Sequence, residues 1–212
     1  MRYKALLFGI DGVLCNTDEM HRIAWKQVCD NLSIAYPFTD DEFALSHSRT
    51  KVLDTLLACN NLEFSDAEKN IILEEKNDIY QQLLLNSLSK EAIIPGAIDM
   101  LSKTREREYK IAAVTPSKNG ILLLKRLKLY EYFDIVVDGN DLDEDQQEER
   151  LFVRAATELC IFPHNALVID AHIERLQRLR AYGFPCLLFS GSPGMDVQRI
   201  SSINELTERV LA

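Results

Sequence analysis

The chain has 212 residues, of which 47% are hydrophobic and 27% charged, with a formal net charge of −9. That length suits one core domain with a modest insertion. The composition is that of a globular protein, and the negative charge argues against non-specific binding to nucleic acid or to an anionic membrane while leaving room for a local anion pocket. Five scattered cysteines (Cys15, Cys29, Cys59, Cys160, Cys186) without a CxxC pair, no signal-peptide pattern and no apolar run of about 18 residues read as a soluble cytoplasmic protein with reduced thiols.

In chain order, residues 3–9 form an apolar run of strand length that ends in a turn at Gly12. From Thr17 to about Leu32 the pattern becomes helical, with Thr17 as the expected N-cap and Asp18 and Glu19 in the first turn. Pro37 breaks the chain. Further helices are expected near 50–59 and over 66–87, the second opened by Ser65 with Glu68 three residues later, a capping-box spacing.

After Pro95-Gly96 the rhythm alternates. Strands are expected at Lys110–Thr115, Phe133–Asp138, Ala166–Asp170 and Cys186–Phe189, with helices over 97–107, 118–129, 149–160, 173–182 and 203–211. Single helices between strands imply an α/β fold with a parallel sheet, all strand C-terminal ends on one edge, where such sheets bind ligands. The helical block over 16–88 reads as a cap inserted after strand one, and 1–15 with 89–212 as the core. The acidic run Asp138–Glu149 reads as a solvated loop, or more sharply as a patch for a protein partner or a loop that repels anions from the site.

The segment Leu6-Leu7-Phe8-Gly9-Ile10-Asp11-Gly12 resembles the first motif of the haloacid dehalogenase (HAD) superfamily, hydrophobic-Asp-x-Asp-Gly. The resemblance is to β-phosphoglucomutase-like members and covers nearly the whole chain. It implies a HAD-like Rossmannoid core with an inserted all-helical cap. In that family the first Asp takes up the phosphoryl group and the second is the general acid/base. Here those positions are Gly9 and Asp11.

The second motif, Val114-Thr115-Pro116-Ser117-Lys118-Asn119-Gly120, matches well. The resemblance implies that Thr115 donates to a phosphoryl oxygen and that Ser117, Lys118 and Asn119 form a second phosphate contact. Backbone N–H groups at a helix N-terminus add positive potential. The third motif's lysine aligns with Gln146. The fourth, Ile169-Asp170-Ala171, keeps Asp170 but has Ala171 where the family's metal-binding Asp is expected. In the cap, Thr17, His21, Arg22 and Trp25, then Ser48-Arg49 and Lys76-Asn77-Asp78, match the mutase at polar positions. The resemblance assigns His21, Arg49, Lys76 and Asn77 to a sugar phosphate.

Glycine has no side chain, so an aspartyl-phosphate at position 9 is chemically impossible. Mg²⁺ favours several oxygen ligands, and Asp170, with a backbone carbonyl at Asp11, makes a poor site, so no cofactor is expected. The expected function is that of a non-catalytic relative, a regulatory protein that binds a phosphorylated small molecule. A divergent phosphatase using water activated by Asp11, and a scaffold for a protein partner, are the other readings. Several bland readings stand beside these: Asp11 as a turn cap, Thr115–Ser117 as an N-cap arrangement, His21 and Trp25 as a half-buried helical pair. His172, next to the strand edge, could serve as a substitute nucleophile or ligand, or be purely structural.

Overall fold

The computed structural model describes residues 3–39, 49–142, 147–189 and 197–211. Their chain divides into two compact units, Met1–Asn16 with Ser89–Ala212, and Thr17–Leu88. The first unit is an α/β core. Among the described residues its strands form one six-stranded sheet in the order β3-β2-β1-β4-β5-β6, with β1 Ala5–Gly9, β2 Lys110–Val114, β3 Ile135–Val137, β4 Ala166–Asp170, β5 Cys186–Phe189 and β6 Gln198–Ile200. Every pairing is parallel.

Parallel sheets need helices on both faces, and the strands are correspondingly apolar throughout. All five residues of β1 and of β4 are buried. One face packs Leu7, Val114, Val137 and Val168 against Phe152 and Ala155 of α6 (Glu149–Glu158) and Leu176 and Leu179 of α7 (Ile173–Ala181). On the sheet's other helices, α4 (Ala97–Glu106) packs against β2 and against α8 (Ile203–Leu211), and α5 (Gly120–Arg126) against β3. The chain leaves and re-enters this unit along paired backbone: Asn16 N–H donates to the Ala92 carbonyl at 2.8 Å, and Ile94 N–H to that of Leu14 at 3.0 Å.

The second unit is helical, with α1 Asp18–Leu32, α2 Arg49–Cys59 and α3 Asp66–Asn86. Its core is built at helical spacing: Trp25, Val28 and Cys29 of α1 against Val52, Leu53, Leu56 and Leu57 of α2 and Ile72 and Leu73 of α3. Ser65 and Glu68 form the expected capping box, each side chain accepting from the other's backbone N–H. Burial pushes the Cys29 thiol up to about 11 and that of Cys186 to about 12, and none of the five cysteines is in a disulfide. No helix among the described residues is long and apolar enough to cross a membrane.

Three local expectations change. Thr17 stands at the N-cap position of α1 without capping it, because its hydroxyl is hydrogen-bonded to the Tyr80 hydroxyl at 2.8 Å. Strand β3 is shorter at both ends than 133–138: Asp134 is drawn to the Ile111 N–H at 2.7 Å, and Asp138 caps a turn. Strand β6 was not expected; it has three residues and lies at the sheet's edge.

Candidate active-site edge and helical polar cluster

From β1 the chain builds β2 and β3 to one side, then returns to add β4, β5 and β6 on the other. The order reverses between β1 and β4, and loops leaving the carboxyl ends at such a switch point are where open parallel sheets take ligands. Gly9 and Asp11 leave β1, Thr115 follows β2, and Asp170 ends β4, so all three motifs reach one edge.

Asp170 is 1% exposed, and both of its oxygens are in use. Oδ2 accepts from Arg175 Nη1 at 2.9 Å, while Oδ1 accepts from the His172 backbone N–H at 2.8 Å and from its Nδ1 at 2.9 Å. Arg175 is 5% exposed and reaches a second carboxylate, Glu148, through Nε at 3.1 Å and Nη2 at 2.9 Å. Burial alone would raise the Asp170 carboxyl. The Arg175 guanidinium and the His172 contacts outweigh it and hold the group well below the usual carboxylate range. His172 thus serves to fix Asp170, its Nδ1–H committed to the carboxylate.

Gly9 is shaped by the same network. A Cβ at position 9 would stand 2.8 Å from Asp170 Oδ2, closer than side chains tolerate. Gly12 has φ +78°, and a Cβ there would stand 2.8 Å from the Ala171 methyl. The loop between them is a tight turn in which the Ile10 carbonyl receives Leu14 N–H at 2.9 Å and Gly12 N–H meets the Cys15 carbonyl at 2.8 Å. Asp11 is half-buried there, its Oδ1 3.9 Å from Cys15 Sγ.

After β2, the turn is internally hydrogen-bonded. Thr115, 5% exposed, accepts from Ser117 N–H at 3.2 Å, and the Ser117 hydroxyl accepts from Asn119 N–H at 3.2 Å. Thr115 keeps a hydroxyl proton to donate. Asn119 is buried and Lys118 exposed. The Asp138 carboxylate accepts from Ile121 N–H at 3.4 Å and from Asn140 N–H at 3.0 Å.

That last contact begins a correction to the reading of the acidic run as a solvated loop. Among its described residues, Asp138 and Glu149 are each 1% exposed. Asp141 pairs with Arg154 at 3.0 Å, Glu148 with Arg175, and Glu149 with Arg178. Glu148 and Glu149 tie the start of α6 to α7, and Asp141 ties the preceding turn to α6. Gln146 lies outside the described residues, as does Ser48.

In the helical unit, α1 and α3 bring His21 and Lys76 together. Lys76 Nζ donates to His21 Nδ1 at 2.6 Å, which leaves the ring proton on Nε2. His21 stacks on Tyr80 with ring centroids 4.0 Å apart, and the Lys76 ammonium lies 4.8 Å from the Tyr80 centroid and 5.7 Å from that of Trp25. Lys76 is 6% exposed, a deep position for an ammonium group, and the aromatic faces offset part of its desolvation. Burial first and the Lys76 charge second hold the His21 imidazole well below its ordinary value, so it is neutral. Asn77 follows on α3, half-buried, while Arg49 opens α2 exposed and outside this buried cluster.

A divalent ion needs oxygen lone pairs directed at one point. Here position 9 offers no side chain, Ala171 offers a methyl group packed on Gly12, and both Asp170 oxygens serve nitrogen donors. Among the described residues, no three His, Cys, Asp or Glu side chains converge as a metal site. The donor set does not fit Mg²⁺.

Arg175, Glu148 and Tyr80 were missed in the sequence. Arg175 carried a readable signal, a cation in the first turn of a helix, where the macrodipole opposes it.

The family model of haloacid dehalogenase-like hydrolases matches residues 3–183. The chain is 29% identical over 182 residues to β-phosphoglucomutase of Bacillus subtilis, covering 85% of this chain and 80% of that one. It is 24% identical over 185 residues to the phosphorylated carbohydrates phosphatase of Thermotoga maritima, covering 85% and 82%. The crystal structure of β-phosphoglucomutase from Clostridium difficile superposes with a TM-score of 0.84 at 24% identity, over 99% of this chain and 95% of that one. The fold is thus the HAD Rossmannoid α/β fold, and the chain belongs to the haloacid dehalogenase-like hydrolase family.

Proposed function

We propose that this protein binds a phosphorylated sugar, or a similar phosphorylated metabolite, without transferring its phosphoryl group, and that it acts in the cytoplasm in a regulatory role. The observation that carries this reading is the pairing of Gly9 with an Asp170 whose two oxygens are already taken. Phosphoryl transfer rests on positioning and on offsetting charge at the transferring group; here position 9 carries no nucleophile, and both Asp170 oxygens are engaged by nitrogen donors. Groups suited to holding an anion persist: the Thr115 hydroxyl and the exposed Lys118 of the core, and the Lys76 ammonium and exposed Arg49 of the helical unit. Relatives named for β-phosphoglucomutase and phosphorylated-carbohydrate phosphatase activity support a sugar phosphate as the ligand class.

The test is thermal unfolding against a panel of sugar phosphates in EDTA. Stabilisation by at least one of them, reduced about tenfold in apparent affinity by Lys118→Ala or Arg49→Ala, is the expected result. No stabilisation by any phosphorylated sugar sinks the proposal. Turnover of a phosphate ester that Asp11→Ala abolishes would instead establish a divergent hydrolase. A stable complex with another protein and indifference to every phosphate ester would establish a scaffold.

A further inference from the structure

Arg175 stands beside the Asp170 carboxylate at the carboxyl edge of the sheet. It lies in the first turn of α7, where the helix dipole opposes positive charge, and it is almost wholly buried. What holds it is a pair of carboxylates on opposite sides of the guanidinium, Asp170 at Nη1 and Glu148 at Nε and Nη2. A guanidinium is permanently charged, and its planar fork can serve two carboxylates at once.

We propose that Arg175 is a resident cation. It takes over, from within the chain, the electrostatic role of a divalent ion at the carboxyl edge of the sheet, so the protein takes its anionic ligand without a co-bound metal. Three features of the edge agree with this. The Asp170 carboxylate leans over Gly9, into space that any side chain at position 9 would enter, and there it meets Arg175. His172 occupies the other Asp170 oxygen twice, through its backbone N–H and its ring, so no lone pair on that side is left to complete a metal shell. The Ala171 methyl packs against Gly12, closing the neighbouring position with an apolar contact. Each substitution that removes a metal ligand thus also makes room for, or seals, the internal ion pair.

The nature of the ligand rests on the function proposed above; the replacement of the metal does not, and it is tested with no phosphorylated compound present. Mn²⁺ is titrated into the full chain and followed by its electron paramagnetic resonance signal, alongside thermal unfolding in EDTA and in millimolar Mg²⁺. The wild-type chain is expected to bind no Mn²⁺ in the millimolar range and to unfold at the same midpoint in both buffers. Arg175→Gln, which keeps hydrogen-bonding capacity but removes the charge, leaves Asp170 and Glu148 seeking a cation. It is expected to bind Mn²⁺ at least about tenfold more tightly than wild type and to gain a midpoint rise with Mg²⁺.

Saturable Mn²⁺ binding by the wild type, or a folded Arg175→Gln with no gain in metal affinity, overturns the proposal. Should Arg175→Gln fail to fold in EDTA, rescue of its folding by Mg²⁺ supports the proposal and failure of rescue counts against it. The sugar-phosphate panel can fail without touching these outcomes, and these can fail while the panel succeeds.

Discussion

A missing side chain at a catalytic position is easily read as a loss, but at position 9 the geometry gives it a second meaning. The Asp170 carboxylate occupies the approach to that backbone, 2.8 Å from where a Cβ would stand, and it cannot swing away without leaving Arg175. Gly9→Ala is therefore expected to lower stability by about 1–3 kcal/mol, the usual effect of overpacking a close-packed site. Urea denaturation measures it. In an Asp170→Ala background the same substitution should lose most of its effect, and strictly additive losses would show that the two positions do not press on each other. Gly9→Asp adds a second carboxylate beside the first, in a poorly solvated site, so it should destabilise the chain without producing phosphatase turnover.

Among the elements, α1 and α3 are joined by a polar cluster as much as by their apolar faces. Thr17, His21 and Trp25 lie four residues apart along α1, and they meet Lys76 and Tyr80, four apart on α3. The sequence showed the spacing of His21 and Trp25 on one face. It could not show that the partner was a buried lysine, because lysine ordinarily reads as surface. The neutral His21 makes the helical unit sensitive to acid.

The sign follows from its lowered value. Below the ordinary 6.5 the unfolded chain takes up a proton that the folded chain refuses, so stability is complete above that pH and falls as the pH drops towards 5. Thermal unfolding at pH 7.5 and 5.5 should show the loss in wild type, and His21→Gln should flatten it. An equal loss in the variant would assign the acid sensitivity to other groups.

The same contrast governs how legible the elements were. Ala166–Asp170 was readable because four apolar residues end in a carboxylate. The Ser65–Glu68 box was readable because its chemistry is local. Strand β6 was not, since three residues, Gln198, Arg199 and Ile200, carry too little pattern to mark an edge strand. The buried carboxylates of the acidic run were hidden for a related reason. What pairs Glu149 with Arg178 is the packing of α6 against α7, and what pairs Asp141 with Arg154 is the turn before α6 lying against that helix, and neither is written in the local pattern.

For the whole molecule, the fold follows from alternation after Pro95 and from a helical stretch before it, and the sheet order places the motifs at one edge. The site's family was legible in the motifs. Its internal cation was legible only as a charge out of place in a first turn, and the partner was not, because an ion pair formed between a strand end and the next helix requires the turn between them to be known.

The central position of β1 also has a consequence for synthesis on the ribosome. This strand emerges first, yet its residues find their partners only much later: Ala5 lies against Lys110 on one side and Ala166 on the other. Until β4 has left the exit tunnel, one flank of a wholly apolar strand has nothing to pair with, and exposed strand edges of that kind promote association between chains. A chain stopped after Asn165 is therefore expected to be recovered in the insoluble fraction, whereas one extended through β5 should gain soluble yield, as sedimentation after expression would record. The nascent chain carries this wholly buried strand unpaired on both flanks until β2 arrives and on one flank until β4 does, so residues through Asp170 must emerge before the strand is covered.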